Sequence, residues 1–100
     1  MGREIETKCI HLESEDCIKN YGAISYPIYQ TATYAHPGVE QSTGYDYSRL
    51  QNPTREHLEK IIATLENGND AFAFSSGMAA ITMAMELFKP GDHLIVDSDL

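Results

Sequence analysis

A short apolar run, Ala71-Phe72-Ala73-Phe74, stops at Ser75-Ser76-Gly77 and gives way at once to Met78-Ala79-Ala80. An apolar run ending in two serines and a glycine reads as a strand, a tight turn and a helix N-terminus. The helix is expected from Gly77 to about Phe88, with Met78, Ile81, Met85 and Phe88 on one side. Lys89-Pro90-Gly91-Asp92 reads as a loop, and His93-Leu94-Ile95-Val96-Asp97 as a second strand, apolar on both faces. Together they predict a β-α-β unit with a right-handed crossover. Two parallel strands cannot bury both faces of their sheet, so the pattern predicts the first part of a larger α/β protein.

Composition narrows the function classes. The 100 residues carry a net charge of −8, which argues against general nucleic-acid binding and against docking on anionic membranes. No apolar run approaches membrane-spanning length, and the polar start Met1-Gly2-Arg3-Glu4-Ile5-Glu6 lacks the apolar core of a signal peptide. A cytoplasmic protein is expected. Cys9 and Cys17, eight residues apart, match no common zinc spacing, and reduced thiols are expected. His11 lies two residues from Cys9, but without a second cluster no metal site is assigned.

From Met1 to about Gly44 neither the helical nor the strand period persists. Ile24-Ser25-Tyr26-Pro27-Ile28-Tyr29 reads as extended, because Pro27 biases Tyr26 away from helix. His36-Pro37-Gly38 reads as a turn. Tyr21, Tyr26, Tyr29 and Tyr34 make the region too aromatic for a disordered tail, so it is expected to fold by packing on something else, such as another subunit. A helix then starts at Asn52-Pro53, a good cap followed by a good first residue. Leu58, Ile61, Ile62 and Leu65 share one face, Glu56 and Lys60 are spaced for an exposed ion pair, and Asn67-Gly68 closes the helix. His57 is expected on the solvated face.

Two constellations bear chemistry. In Tyr45-Asp46-Tyr47-Ser48-Arg49, the planar fork of Arg49 can hold a phosphate and the Tyr47 hydroxyl can add a neutral donor. The same segment also reads as a surface loop with a structural arginine. At Ser75-Ser76-Gly77-Met78, the backbone amides of Gly77 and Met78 can form a phosphate cup at a helix start. Taken alone, the turn reads first as an ordinary capped helix, with Ser75 or Ser76 as the cap, because such caps are common. It is not a nucleotide loop, since it lacks the further glycines of GxGxxG and the lysine of a Walker motif.

Taken together, these segments resemble a family. Gly44-Tyr45-Asp46-Tyr47-Ser48-Arg49, Asn52-Pro53-Thr54-Arg55, Leu58-Glu59, Leu65-Glu66 and Phe74-Ser75-Ser76-Gly77-Met78-Ala79-Ala80-Ile81 resemble the Cys/Met-metabolism family of pyridoxal-phosphate enzymes. Pro27-Ile28-Tyr29-Gln30-Thr31-Ala32-Thr33-Tyr34 and Gly91-Asp92 fit too, so the resemblance covers nearly the whole chain. It implies a fold-type I transferase. Residues 1–50 would be an extended N-terminal arm contacting a neighbouring subunit, and residues 51–100 the beginning of the large parallel-sheet pyridoxal-phosphate domain. It implies that Gly77 and Met78 hold the cofactor phosphate through their amides, and that Tyr47 and Arg49 reach that phosphate from the neighbouring subunit of a homotetramer.

The activity implied is transsulfuration of sulfur amino acids or activated homoserine, by γ-replacement or β/γ-elimination. The cystathionine γ-synthase or γ-lyase type is favoured. Methionine γ-lyase and O-acetylhomoserine sulfhydrylase chemistries are the alternatives within the family. A non-catalytic assembly module docking through its aromatic arm is the alternative outside it. The Schiff-base lysine is expected beyond Leu100. Lys8, Lys19, Lys60 and Lys89 lie in an arm, a helix face and a loop, and none is given that role.

Overall fold

The computed structural model describes residues 4–12 and 20–99; Cys17, Lys19 and Leu100 lie outside them. Three helices follow in order: α1 (Ile5–Lys8), α2 (Pro53–Leu65) and α3 (Gly77–Met85). α1 is a four-residue helix that lies against α2, in a stretch too short to show a hydrophobic period.

The best-defined element is α2, and both its ends are set locally. Asn52 has extended backbone, and its Oδ1 accepts from the Thr54 amide at 2.9 Å while Pro53 opens the helix. At the other end the Gly68 amide donates to Ala63 O at 2.8 Å and the Asn67 amide to Thr64 O at 3.4 Å. This is a Schellman closure, and Asn67, at φ +53°, takes the left-handed position. The expected Glu56–Lys60 ion pair forms at 2.5 Å. The expected apolar stripe is only partly covered. Ile61 is buried, whereas Leu58 and Ile62 remain 50% and 44% exposed.

Around the start of α2 the extended segment is hooked in place. Asn52 Nδ2 donates to Tyr29 O and to Ser48 Oγ, both at 3.0 Å. Thr54 Oγ1 accepts from the Tyr29 amide at 2.9 Å and donates to Pro27 O at 3.0 Å. Further along, an antiparallel bridge joins Thr33 to Tyr47. It is supported by the Ser48 amide on Ala32 O at 2.9 Å and the Tyr34 amide on Asp46 O at 3.3 Å. His57 departs from its expected solvated position. Its ring lies 3.9 Å from that of Tyr26, nearly parallel, and is half-buried. The hooked segment delivers the tyrosine to that face of α2, a partner no local pattern contains.

The β-α-β reading is met in its helix but not in its ladder. Ser76, not Ser75, caps α3, its Oγ accepting from the Ala79 amide at 3.1 Å. Beyond Met85 the chain tightens into i→i+3 bonds from Glu86, Leu87 and Phe88, so the regular helix ends three residues before the expected Phe88. Gly91, at φ +98°, sits in the turn after Pro90, closed by the Asp92 amide on Lys89 O at 3.0 Å. Residues 71–74 and 93–97 form no ladder, and the Thr33–Tyr47 bridge is the only β-pairing among the described residues. A strand requires a neighbouring strand to receive its amides. The Ala73 amide instead donates to Glu59 Oε1 at 2.8 Å.

The arrangement is open. Its radius of gyration is 17.7 Å, against about 13 Å for a compact chain of this length. The helix face read as a packing face stays exposed at Met78, Ile81, Met85 and Phe88.

The dual role of Asn52 yields a prediction. Asn52→Ala removes the cap and both Nδ2 bonds, and is expected to cost the intact protein about 2 kcal/mol. Asn52→Asp keeps the cap and loses the donors, so its urea midpoint should fall between those of wild type and Asn52→Ala. A wild-type midpoint for Asn52→Asp would show that the Nδ2 bonds contribute nothing.

Candidate functional site

Tyr47, Ser48 and Arg49 lie on a tight turn whose middle residue faces inward. Ser48 Oγ accepts from Asn52, donates to Thr31 O and lies 3.3 Å from the Tyr34 hydroxyl. The Tyr47 carbonyl accepts from the Leu50 and Gln51 amides at 3.0 and 2.9 Å. Arg55 closes the turn from α2. Its Nη1 donates to Ser48 O at 3.2 Å and Arg49 O at 3.5 Å, and its Nη2 donates to Leu50 O at 2.7 Å. Because Ser48 is held inward, its two neighbours are left to project from the turn.

Those neighbours are the two residues singled out in the sequence. The Arg49 guanidinium sits over the Tyr47 ring, 5.0 Å from its centroid, within cation–π range. Arg49 is exposed and Tyr47 half-buried. Among the described residues no carboxylate pairs with Arg49, and the Tyr47 hydroxyl has no hydrogen-bond partner. This is a cation and a neutral donor held side by side with their bonding capacity unspent. The arrangement suits an anion with several oxygens.

The second half of the site is the start of α3. The amides of Gly77 and Met78 fall in the first turn, where no intrahelical carbonyl can reach them. A Cβ built on Gly77 would meet nothing within 4 Å, so no other part of the chain packs against that position. Arg49 also lines a cleft of about 1030 Å³ with Tyr45, Asn52, Arg55, Glu56, Glu59, Phe72 and Phe74. Tyr47, Gly77 and Met78 are not among its lining residues. The structure brings the Arg49 guanidinium over the Tyr47 ring, and Gly77 and Met78 stand next to each other in the first turn of α3. Among the described residues no cluster of metal-binding side chains occurs, and no helix is long and apolar enough to cross a membrane.

Beyond the expected Glu56–Lys60 pair, sequence reasoning missed the supporting shell. Tyr45 donates a short hydrogen bond to Glu56 Oε2, and Lys60 binds the other oxygen. The bond to Glu56, followed by burial, pushes the Tyr45 phenol well above its ordinary value of 10.0. Hydrogen bonds from Lys60 and then from Tyr45 hold the Glu56 carboxyl below its ordinary 4.5. Arg55 and Glu59, four apart, pair at 3.8 Å. The i,i+4 spacing of these pairs on α2 was the one signal available beforehand.

The signs of the two shifts define a working window. A depressed carboxyl contributes stability that is complete above pH 4.5 and is lost as pH falls through the lowered value. A raised phenol contributes stability that is complete below pH 10.0 and is lost as pH rises through the raised value. The lock should therefore be intact between those limits. Tyr45→Phe is expected to raise the Glu56 titration toward 4.5, read from its side-chain carboxyl carbon by NMR. An unmoved titration would mean that Tyr45 does not engage Glu56.

Residues 6–100 match the family described as Cys/Met metabolism PLP-dependent enzyme. Over all 100 residues the chain is 50% identical to a Bacillus subtilis cystathionine gamma-synthase/O-acetylhomoserine (thiol)-lyase, covering 26% of that protein. Over 79 residues, 79% of the chain, it is 54% identical to a cystathionine gamma-lyase of the same organism, covering 21% of it. Among solved structures, the cystathionine gamma-lyase of Lactobacillus plantarum complexed with L-serine superposes with a TM-score of 0.76 at 47% identity. That match covers 91% of this chain and 23% of the other. The cystathionine gamma synthase of Xanthomonas oryzae pv. oryzae superposes with a TM-score of 0.80 at 31% identity, over 92% and 24% of the two chains. The chain spans about a quarter of the length of these relatives.

Proposed function

The chain belongs to the Cys/Met metabolism family of pyridoxal-phosphate-dependent enzymes, and from that premise we propose that it serves a transsulfuration reaction within its whole protein. The substrate is a sulfur amino acid or an activated homoserine, and the reaction is γ-replacement or β/γ-elimination of the cystathionine γ-synthase or γ-lyase type. The names of the relatives support this reading. Their range, from synthase to β-lyase, leaves the choice among these reactions to residues beyond the part matched.

One observation carries the assignment of the cofactor site: the unspent Arg49–Tyr47 pair on a turn fixed by Ser48, Asn52 and Arg55. Arg49 neutralises phosphate charge through its fork, and Tyr47 adds a hydroxyl donor whatever the charge of the phosphate. Gly77 and Met78 present first-turn amides at the positive end of α3. When bound, pyridoxal phosphate supplies the electron sink for the substrate's α-carbon. The four residues anchor its phosphate and so fix the orientation of the ring.

In this reading Tyr47 and Arg49 serve a partner subunit's site, while Gly77 and Met78 serve their own. Residues 1–50 form the arm toward that partner, residues 51–100 open the cofactor domain, and the working unit is a homotetramer in the cytoplasm.

The assignment is tested in the holoenzyme by titrating the apoenzyme with pyridoxal phosphate and following cofactor absorbance. Arg49→Ala is expected to weaken affinity by about tenfold or more, through loss of charge-assisted bonds. Tyr47→Phe is expected to weaken it less, through loss of one neutral donor. Unchanged affinity in Arg49→Ala would overturn the assignment.

A further inference from the structure

Arg55 and Glu59 lie one turn apart on α2, and their side chains bond in opposite directions. Arg55 gathers the consecutive carbonyls of Ser48, Arg49 and Leu50 into one guanidinium fork. Three carbonyls brought to one side of a turn repel one another unless donors meet them, and a planar fork meets them where a point-like ammonium does not. Glu59, four residues on, is largely buried, and its Oε1 takes the Ala73 amide at 2.8 Å. Ala73 stands three residues before the Ser76 cap of α3. The Arg55 Nε to Glu59 Oε1 contact at 3.8 Å completes the connection. It runs from the carbonyls of the Tyr47–Arg49 turn, through two side chains of one helix, to the backbone entering Gly77.

We propose that Arg55 and Glu59 are a positioning pair that holds the Tyr47–Arg49 turn in register with the segment leading to Ser76–Gly77. One helix face then sets both phosphate-binding groups that a chain contributes. The proposal rests on the phosphate-site reading above. Neither side chain is a ligand in it. Arg55 spends its donors on carbonyls, which leaves Arg49, six residues earlier, free for the anion.

The test uses the holoenzyme stripped to apoenzyme and titrated separately with pyridoxal 5′-phosphate and with pyridoxal, which lacks the phosphate. Arg55→Lys keeps the charge and loses the fork. It is expected to weaken pyridoxal phosphate by about tenfold and to leave pyridoxal unchanged within about twofold. In an Arg49→Ala background the same substitution should cost less than it does in wild type, because Arg55 acts through the turn that carries Arg49 and only Tyr47 then remains on it. Glu59→Gln keeps an acceptor for Ala73 but loses the ion pair. It should produce a smaller loss confined to the phosphorylated form, and it decides the matter if Arg55→Lys does not fold.

Equal weakening of both ligands, or effects of Arg55→Lys and Arg49→Ala that simply add, would reduce the pair to general structural support and overturn the proposal. So would unchanged affinity in Arg55→Lys. If Arg49→Ala itself leaves phosphate-dependent affinity intact, the site reading fails and this inference with it. If Arg49→Ala weakens binding and Arg55→Lys does not, only the inference fails.

Discussion

The side chain of Asn52 is the constraint on which the rest depends. Its oxygen starts α2 by capping the Thr54 amide, and its nitrogen holds the Tyr29 carbonyl and the Ser48 hydroxyl. One planar amide thus ties together a helix start, an extended segment and the Tyr47–Arg49 turn. An aspartate or serine would cap equally well but could not present two N–H donors in the opposite direction. Thr54 repeats the device on a smaller scale, its hydroxyl accepting from the Tyr29 amide and donating to the Pro27 carbonyl.

Around that hub, two arginines are put to opposite uses. Arg55 is spent on main-chain carbonyls and on Glu59, while Arg49 meets no carboxylate among the described residues and rests on the face of Tyr47. The local carboxylates are already engaged: Asp46 by His36 and Ser42, Glu56 by Lys60 and Tyr45, and Glu59 by Arg55 and Ala73. With these acids engaged elsewhere, none of them pairs with Arg49.

The polar network is denser than the apolar one. Ile61 is the one large hydrophobic buried among the described residues, while Phe72, Ile95 and the α3 face remain open to solvent. The parts of the structure that hold the site are therefore local hydrogen bonds and ring contacts rather than a core. This agrees with a chain that matches only a quarter of its relatives' length.

Much was legible in the residues alone, wherever the determining contact is short in sequence. The caps at Asn52 and Ser76, the Asn67-Gly68 closure and the Glu56–Lys60 pair all follow from neighbours within a few positions. So does the family, because its motifs are local strings of residues. Only the tertiary structure could decide which side of the extended segment meets α2, that His57 stacks on Tyr26, that Ser48 turns inward, and that Glu59 takes an amide expected in a strand ladder. Those contacts join residues 4 to 31 positions apart, and most span more than a dozen. A sequence encodes the donors and acceptors of such bonds but not their meeting, which depends on how the intervening chain is folded back.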